Sequence, residues 1–265
     1  MMSKSVLIAL SGAVLLAGCA GNPVGSEAAN VELAVSQQAA GNDARQRAKV
    51  HTELGRLYLG EGRHEVALDE ARIALASDSG YAPAYNLLGL TYMALRQNEL
   101  ATENFRKALG MAGNDPEINN DYGWFLCQTG KARESLAHFR VAIGNPLFQS
   151  PLSALLNAGY CAIQIPDDRL AEGYLLNALR LDANNRGALY WLADIAYRSN
   201  RLDEARLRLQ DLHKLIEPTA GSVWLALRVD RKLGDKEGEA RYTGLLRRKH
   251  RDSLEYQKLM RGEFD

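Results

Sequence analysis

The sequence predicts an all-α chain, a solenoid of stacked helix hairpins, and three observations carry that prediction. The first is the stretch Ala82 to Leu109. Its apolar and small residues fall at helical spacing, Tyr85, Leu88, Gly89 and Tyr92, then Ala101, Phe105 and Ala108, on either side of a polar break at Arg96-Gln97-Asn98. That is a helix, a tight turn and a second helix, with Gly89 and Ala101 small where the two axes must approach. The second observation is that the hairpin recurs. Gly55, Gly123 and Gly159 take the place of Gly89, with Ala193 and Arg228 at the two later positions, and Ala67, Ser135, Ala171, Ala205 and Ala240 take the place of Ala101. The third is the period. Copies beginning near Ala48, Ala82, Pro116, Leu152, Arg186 and Gly221 are 34, 34, 36, 34 and 35 residues apart. Such a hairpin has an apolar face it cannot bury alone, so it needs neighbours of its own kind.

This period and residue pattern resemble the tetratricopeptide repeat. An irregular helical bundle would not keep them. The expected architecture is a superhelix of about six hairpins over residues 31–265, closed by a C-terminal capping helix.

The chain in order begins with a segment unlike the rest. Lys4 supplies a positive start and Val6 to Leu16 an apolar run, closed by Leu16-Ala17-Gly18-Cys19. That layout is a secretory signal peptide over residues 1–18. Its last four residues resemble the lipobox of bacterial lipoproteins, in which the cysteine is acylated, so Cys19 is the expected lipidation site. Ala20 stands where lipoproteins retained in the inner membrane often carry Asp, and the resemblance therefore implies the outer membrane. Residues 19–30, with Gly21, Pro23, Gly25 and Ser26, are a tether in composition. Val31 to Ala40 is expected to begin a leading helix, broken at Gly41-Asn42-Asp43, with Asp43 capping the helix that enters the first repeat.

Within the first three repeats the turns fall at Glu61-Gly62-Arg63, Arg96-Gln97-Asn98 and Thr129-Gly130-Lys131. Pro83 and Pro116 lie in opening turns, where a missing N–H costs little. The period slips by two residues at Gly144 to Pro151, where two prolines call for a longer connection and a bend in the superhelix. Repeats four and five turn at Pro166-Asp167-Asp168 and Ser199-Asn200-Arg201. The sixth copy is degenerate, with Arg228 in the place of the small residue and Gly244 in that of the aromatic, as an end repeat facing water should be. Arg247 to Arg251 is a basic run that reads as a solvated helix face. Ser253 to Phe264 supplies the covering helix.

Composition excludes several functions. Lys+Arg and Asp+Glu both number 32, so no global field draws nucleic acid or an acidic substrate. No catalytic or phosphate-cradling motif is present, the five histidines sit at unrelated repeat positions, and no enzyme, metal or cofactor is expected.

Cys127 and Cys161 fall on the first helices of repeats three and four, whose axes should lie roughly 8–10 Å apart. A disulfide needs Cα atoms roughly 4.4–6.8 Å apart, so a bridge is reachable, and a secreted chain meets oxidising conditions. Two reduced core cysteines are the other reading, and a thiol count on unreduced, denatured protein separates the two.

What remains is a surface. In a tetratricopeptide stack the second, fifth, ninth and twelfth residues of the first helices line the concave face. They are Leu59, Asn86, Leu90, Met93, Asn120, Trp124, Leu156, Tyr160, Ile163, Tyr190 and Tyr197. A groove of Trp, Tyr and Met edged by Asn suits a polypeptide from another protein, with Trp124 and Tyr160 as the anchors. Leu90 and Leu156 also fit a plain packing role between repeats.

The lipobox, the tether and six such repeats, together with Asn119–Cys127 (NNDYGWFLC) and Asn157–Cys161 (NAGYC), resemble the PilF/PilW family of type IV pilus biogenesis lipoproteins. The resemblance implies a pilotin: a lipid-anchored protein on the periplasmic face of the outer membrane that helps the pilus secretin to localise and multimerise. It implies secretin subunits and membrane lipid as partners, no nucleic acid or small-molecule substrate, and a bridge between Cys127 and Cys161. The alternative is a general envelope scaffold, for example one organising peptidoglycan hydrolases.

Overall fold

The computed structural model describes residues 35–264, with side chains from Asp43 onward. The signal segment, Cys19, the tether and the start of the leading helix lie outside the described residues. Among those described there are thirteen helices and no strand. They are α1 (Val35–Gly60), α2 (His64–Ser77), α3 (Ala82–Ala94), α4 (Asn98–Met111), α5 (Pro116–Gln128), α6 (Ala132–Gly144), α7 (Pro151–Ile163), α8 (Asp168–Leu181), α9 (Arg186–Arg198), α10 (Leu202–Leu215), α11 (Ala220–Leu233), α12 (Lys236–Lys249) and α13 (Leu254–Arg261). The unit Gly41–Asp265 holds the packed hairpins. Each odd-numbered helix from α3 to α11 packs on the next helix in sequence and on the odd-numbered helix of the following or preceding repeat.

One expectation fails at the start. Gly41-Asn42-Asp43 does not break the chain, because α1 runs through it to Gly60, and Asp43 is not a cap. Its carboxylate instead pairs with Arg47 one turn on. A glycine in a helix costs only about 1 kcal/mol, which the rest of a 26-residue helix offsets.

The turns inside the repeats show why the period is 34. Gly62, Arg96, Gly130, Asn200 and Gly234 all have positive φ, between 58° and 81°. In each case the next residue donates its N–H back to the carbonyl five positions earlier: Arg63 to Tyr58, Gln97 to Tyr92, Lys131 to Leu126, Arg201 to Ala196 and Asp235 to Asp230, at 2.8–2.9 Å. This closure of a helix end by a left-handed residue fixes the angle at which the second helix folds back. Repeat four lacks it. There Ile165, the residue after the C-cap Gln164, does not take a positive φ, and Pro166, before the cap Asp167, ends the turn instead.

The left-handed position also corrects the frame of the sixth repeat. Gly234 sets its start at Ala220 rather than Gly221, so Leu227, fully buried, occupies the small-residue position and Arg228 is one step round the helix. The slip in the connection from Gly144 to Pro151 is absorbed by Phe148, which is buried against Ala142 and Ala154.

Between the paired helices, large residues sit on small ones. A Cβ added at Gly89 would lie 2.8 Å from the Phe105 ring, at Gly123 3.0 Å from Phe139, and at Gly159 2.7 Å from Leu175. Phe105, Phe139 and Leu175 are themselves fully buried. The core between paired helices is thus a row of large side chains set on glycines, repeated from hairpin to hairpin.

Two histidines belong to this interior. His138 on α6 shares a 2.9 Å hydrogen bond with the Asn119 side chain and meets the edge of Tyr122; burial holds its pKa below the ordinary value, opposed by Glu134. His213 on α10 pairs with Ser222, and burial and Arg241 hold it low as well. A depressed histidine takes up its proton more readily in the unfolded chain, so stability falls as pH drops below the unfolded value near 6.5. Urea unfolding at pH 7 and pH 5 is expected to show that loss, at most about 1.4 kcal/mol per pH unit for each group, and His138→Gln should remove its share.

Candidate partner-binding face

The first helices of adjacent repeats carry two lanes of side chains. One is aromatic. Trp124 on α5, Tyr160 on α7 and Trp191 on α9 follow one another at centroid distances of 5.7 and 5.8 Å, and Tyr190 joins Trp191 at 5.1 Å. All four are partly buried, so part of each ring is open to solvent. Tilted and edge-on contacts of this kind hold each ring in place at little further entropic cost to a ligand. Trp191 is a residue that the position rule missed. It lies one place beyond Tyr190, and its neighbourhood with Tyr160 depends on how two helices sit side by side.

The second lane is polar. Asn86 on α3 donates to Asp121 on α5 at 2.7 Å, and Asn157 on α7 donates to Asn120 on α5 at 3.2 Å. Arg56 on α1 reaches both Glu117 (3.6 Å) and Asp121 (4.0 Å). Burial pushes the Asp121 carboxyl up, against the pull of Arg56 and of the amides of Asn86 and Asn120, the latter donating to it at 3.3 Å. Asp121 and Asn157 fall outside the four concave positions and join the lane through partners on other helices, whereas Arg56 stands at the ninth position of repeat one but was not among the residues read as lining the groove.

Two expected lining residues are not available to a ligand. Asn86 is fully buried, because its amide is turned into the interface with α5 to meet Asp121. Tyr197 is 5% exposed, because Arg228 and Lys232 of α11 cover its ring at 4.4 and 4.2 Å. Leu59, Leu90, Met93, Leu156 and Ile163 are partly exposed, and each also packs against the core of its own or the adjoining repeat. Asn120, Trp124, Tyr160 and Tyr190 remain as polar and aromatic contacts with open surface.

Beneath the aromatic lane lies a disulfide. Cys127 and Cys161 are bonded, with Cα atoms 5.7 Å apart, and both are buried. The bridge ties α5 to α7, the two helices that present Trp124 and Tyr160. Among the described residues no group of three or more His, Cys, Asp or Glu is placed to hold a metal ion. No described helix is long and apolar enough to cross a membrane.

Comparison with known proteins agrees with this architecture. Tetratricopeptide-repeat models match residues 82–115 and 169–214. The type IV pilus assembly protein PilF of Pseudomonas aeruginosa is 28% identical over 207 residues, 78% of this chain and 82% of its own length. An uncharacterised protein of Haemophilus influenzae is 26% identical over 128 residues, 48% of this chain and 72% of its own. Among solved structures, PilW, described as a widely conserved type IV pilus biogenesis factor, superposes with a TM-score of 0.73 at 28% identity over 80% of this chain and 98% of its own. The structure of P. aeruginosa PilF gives 0.75 at 26% identity, over 84% and 99%. A likeness at 18% identity to YrrB, a repeat protein with a peptide-binding site, speaks only for the fold. The chain is a tetratricopeptide-repeat protein, homologous over most of its length to the type IV pilus biogenesis proteins PilF and PilW.

Proposed function

We propose that this protein is a pilotin of type IV pilus biogenesis. Its acylated Cys19 holds it to the periplasmic face of the outer membrane, and its aromatic lane grips secretin subunits and raises their concentration there. Homology to PilF and PilW supports a role in pilus biogenesis acting through protein contacts. The observation that carries the finer reading is the run Trp124–Tyr160–Trp191. It is a row of preorganised, partly open rings spanning three repeats.

The work is binding, with no covalent step. A partner segment laid across α5, α7 and α9 covers ring surface that is already fixed in place, so little ordering entropy opposes the contact. Asn120, at the edge of the lane, offers a donor and an acceptor to the partner's backbone.

The test is secretin capture from envelope extracts. The double variant Trp124→Ala, Tyr160→Ala is expected to fold normally and to retain at least tenfold less secretin, since two interface anchors are together worth about 2 kcal/mol or more. Unchanged capture would remove the groove from the account. Recovery of peptidoglycan hydrolases in place of secretin would favour a general scaffold. In the same cells Cys19→Ser is expected to release the protein from the membrane fraction, and retention would remove the anchor.

A further inference from the structure

The concave positions of the sixth repeat are already occupied. With the frame set by Gly234, the fifth, ninth and twelfth residues of α11 are Trp224, Arg228 and Arg231. All three contact one residue near the end of the chain. The Phe264 ring stacks on Trp224, with centroids 5.5 Å apart and planes at 21°. The Arg231 guanidinium lies 3.9 Å from the same ring centroid. Arg228 donates through Nε to the Phe264 carbonyl at 2.9 Å. Trp224 is left 6% exposed, whereas Trp124, at the ninth position of its own repeat, keeps open surface.

The way the tail arrives matters. α13 ends at Gly262, whose φ of +70° reverses the chain, and Glu263 closes the helix by donating to the Lys258 carbonyl. Beyond that closure Glu263 and Phe264 lie outside the helix, the first exposed and the second partly so. They can lift away without unwinding α13, which packs separately on α11 and α12 through Tyr256 and Leu259. A partly exposed segment outside the last helical turn opens at low cost. The ring is held by stacking and by a cation over its face.

We propose that the inner face of repeat six is a receptor for an aromatic side chain flanked by carboxylates, with the chain's own Phe264 as its resident and displaceable occupant. The incoming ligand is a segment of a partner protein with that same chemistry. Arg228 and Lys232 leave positive charge beside the site, where Arg231 is already paired with Glu239, and this suits carboxylates next to an aromatic ring, as Asp265 and the Arg261-paired Glu263 flank Phe264 in the sequence. This rests on the reading of the concave face as a partner surface and extends it. Repeats three to five present rings that are ready, whereas repeat six must first release its own. A partner reaching the end of the groove therefore competes with a tethered ligand, and its apparent affinity falls by the fraction of time the site is free.

The probe is a labelled synthetic peptide of residues 258–265, Lys-Leu-Met-Arg-Gly-Glu-Phe-Asp, titrated onto the full chain and read by fluorescence anisotropy. Phe264→Ala is expected to bind it at least tenfold more tightly than the unaltered chain, and adding Trp224→Ala should abolish that binding. A second measurement leaves the fold untouched. With 4-fluorophenylalanine at position 264, excess unlabelled peptide is expected to move the ¹⁹F resonance towards that of a solvent-exposed ring. Equal binding to both chains, no saturation of the Phe264→Ala chain at low millimolar peptide, or an unmoved ¹⁹F signal would each overturn the proposal. Secretin capture through Trp124 and Tyr160 is measured on other repeats, so either reading can fail while the other stands.

Discussion

Removing the Cys127–Cys161 bridge by replacing both cysteines with alanine is expected to lower the free energy of unfolding by about 3–4 kcal/mol. The bond closes a loop with a sequence separation of 34, and most of its effect is the entropy it takes from the unfolded chain. Both cysteines are buried between α5 and α7, so each alanine also leaves a small void. Gln164, which donates to the Cys127 sulfur at 3.4 Å, loses that acceptor. Chemical denaturation of the oxidised chain and of the double variant measures the difference. A loss below about 1 kcal/mol would show that the packed helices already hold this junction without the bond. The functional corollary follows from position. α5 and α7 present Trp124 and Tyr160, so loosening their junction should weaken partner capture in parallel with stability.

Phe105→Ala is expected to cost about 3–5 kcal/mol, the range for removing a fully buried aromatic side chain. Phe105 lies under Gly89 and also touches the rings of Tyr122 and Phe125, so it serves its own hairpin and the junction with the next repeat. Gly89→Val probes the same contact from the other side. Its Cβ would begin 2.8 Å from the ring, so the helices must part, at a cost of about 1–3 kcal/mol or more. Urea unfolding of the two single variants and of the double variant gives the coupling. If the residues are a fitted pair, the double variant loses less than the sum of the singles. Simple additivity would mean that each acts through different neighbours.

The paired helices and the period were legible because they rest on local rules. Small residues at positions such as Gly89, Gly123 and Ala101, and breakers between helices, specify a hairpin wherever they occur, and repetition multiplies the signal. The entry to the first repeat was misread for the same reason. Gly41-Asn42-Asp43 has the composition of a turn, yet a long helix tolerates it. The sixth repeat was placed one residue late because its small positions are lost, and only the left-handed Gly234 reveals its frame.

By itself the sequence determined the all-helical solenoid, the six hairpins and the family resemblance, since each depends on residues close together in the chain. Only the tertiary structure decided which groove positions are open. Asn86 turns inward because Asp121 stands on the neighbouring helix, and Tyr197 is roofed by Arg228 and Lys232. Trp191 joins the aromatic lane because of where α7 lies, and Phe264 closes the last repeat because Gly262 folds the tail back over α11. The physical reason is common to all four. Whether a side chain meets solvent, a ligand or its own chain is set by residues 30 or more positions away in most of these contacts, and periodicity carries no information about them.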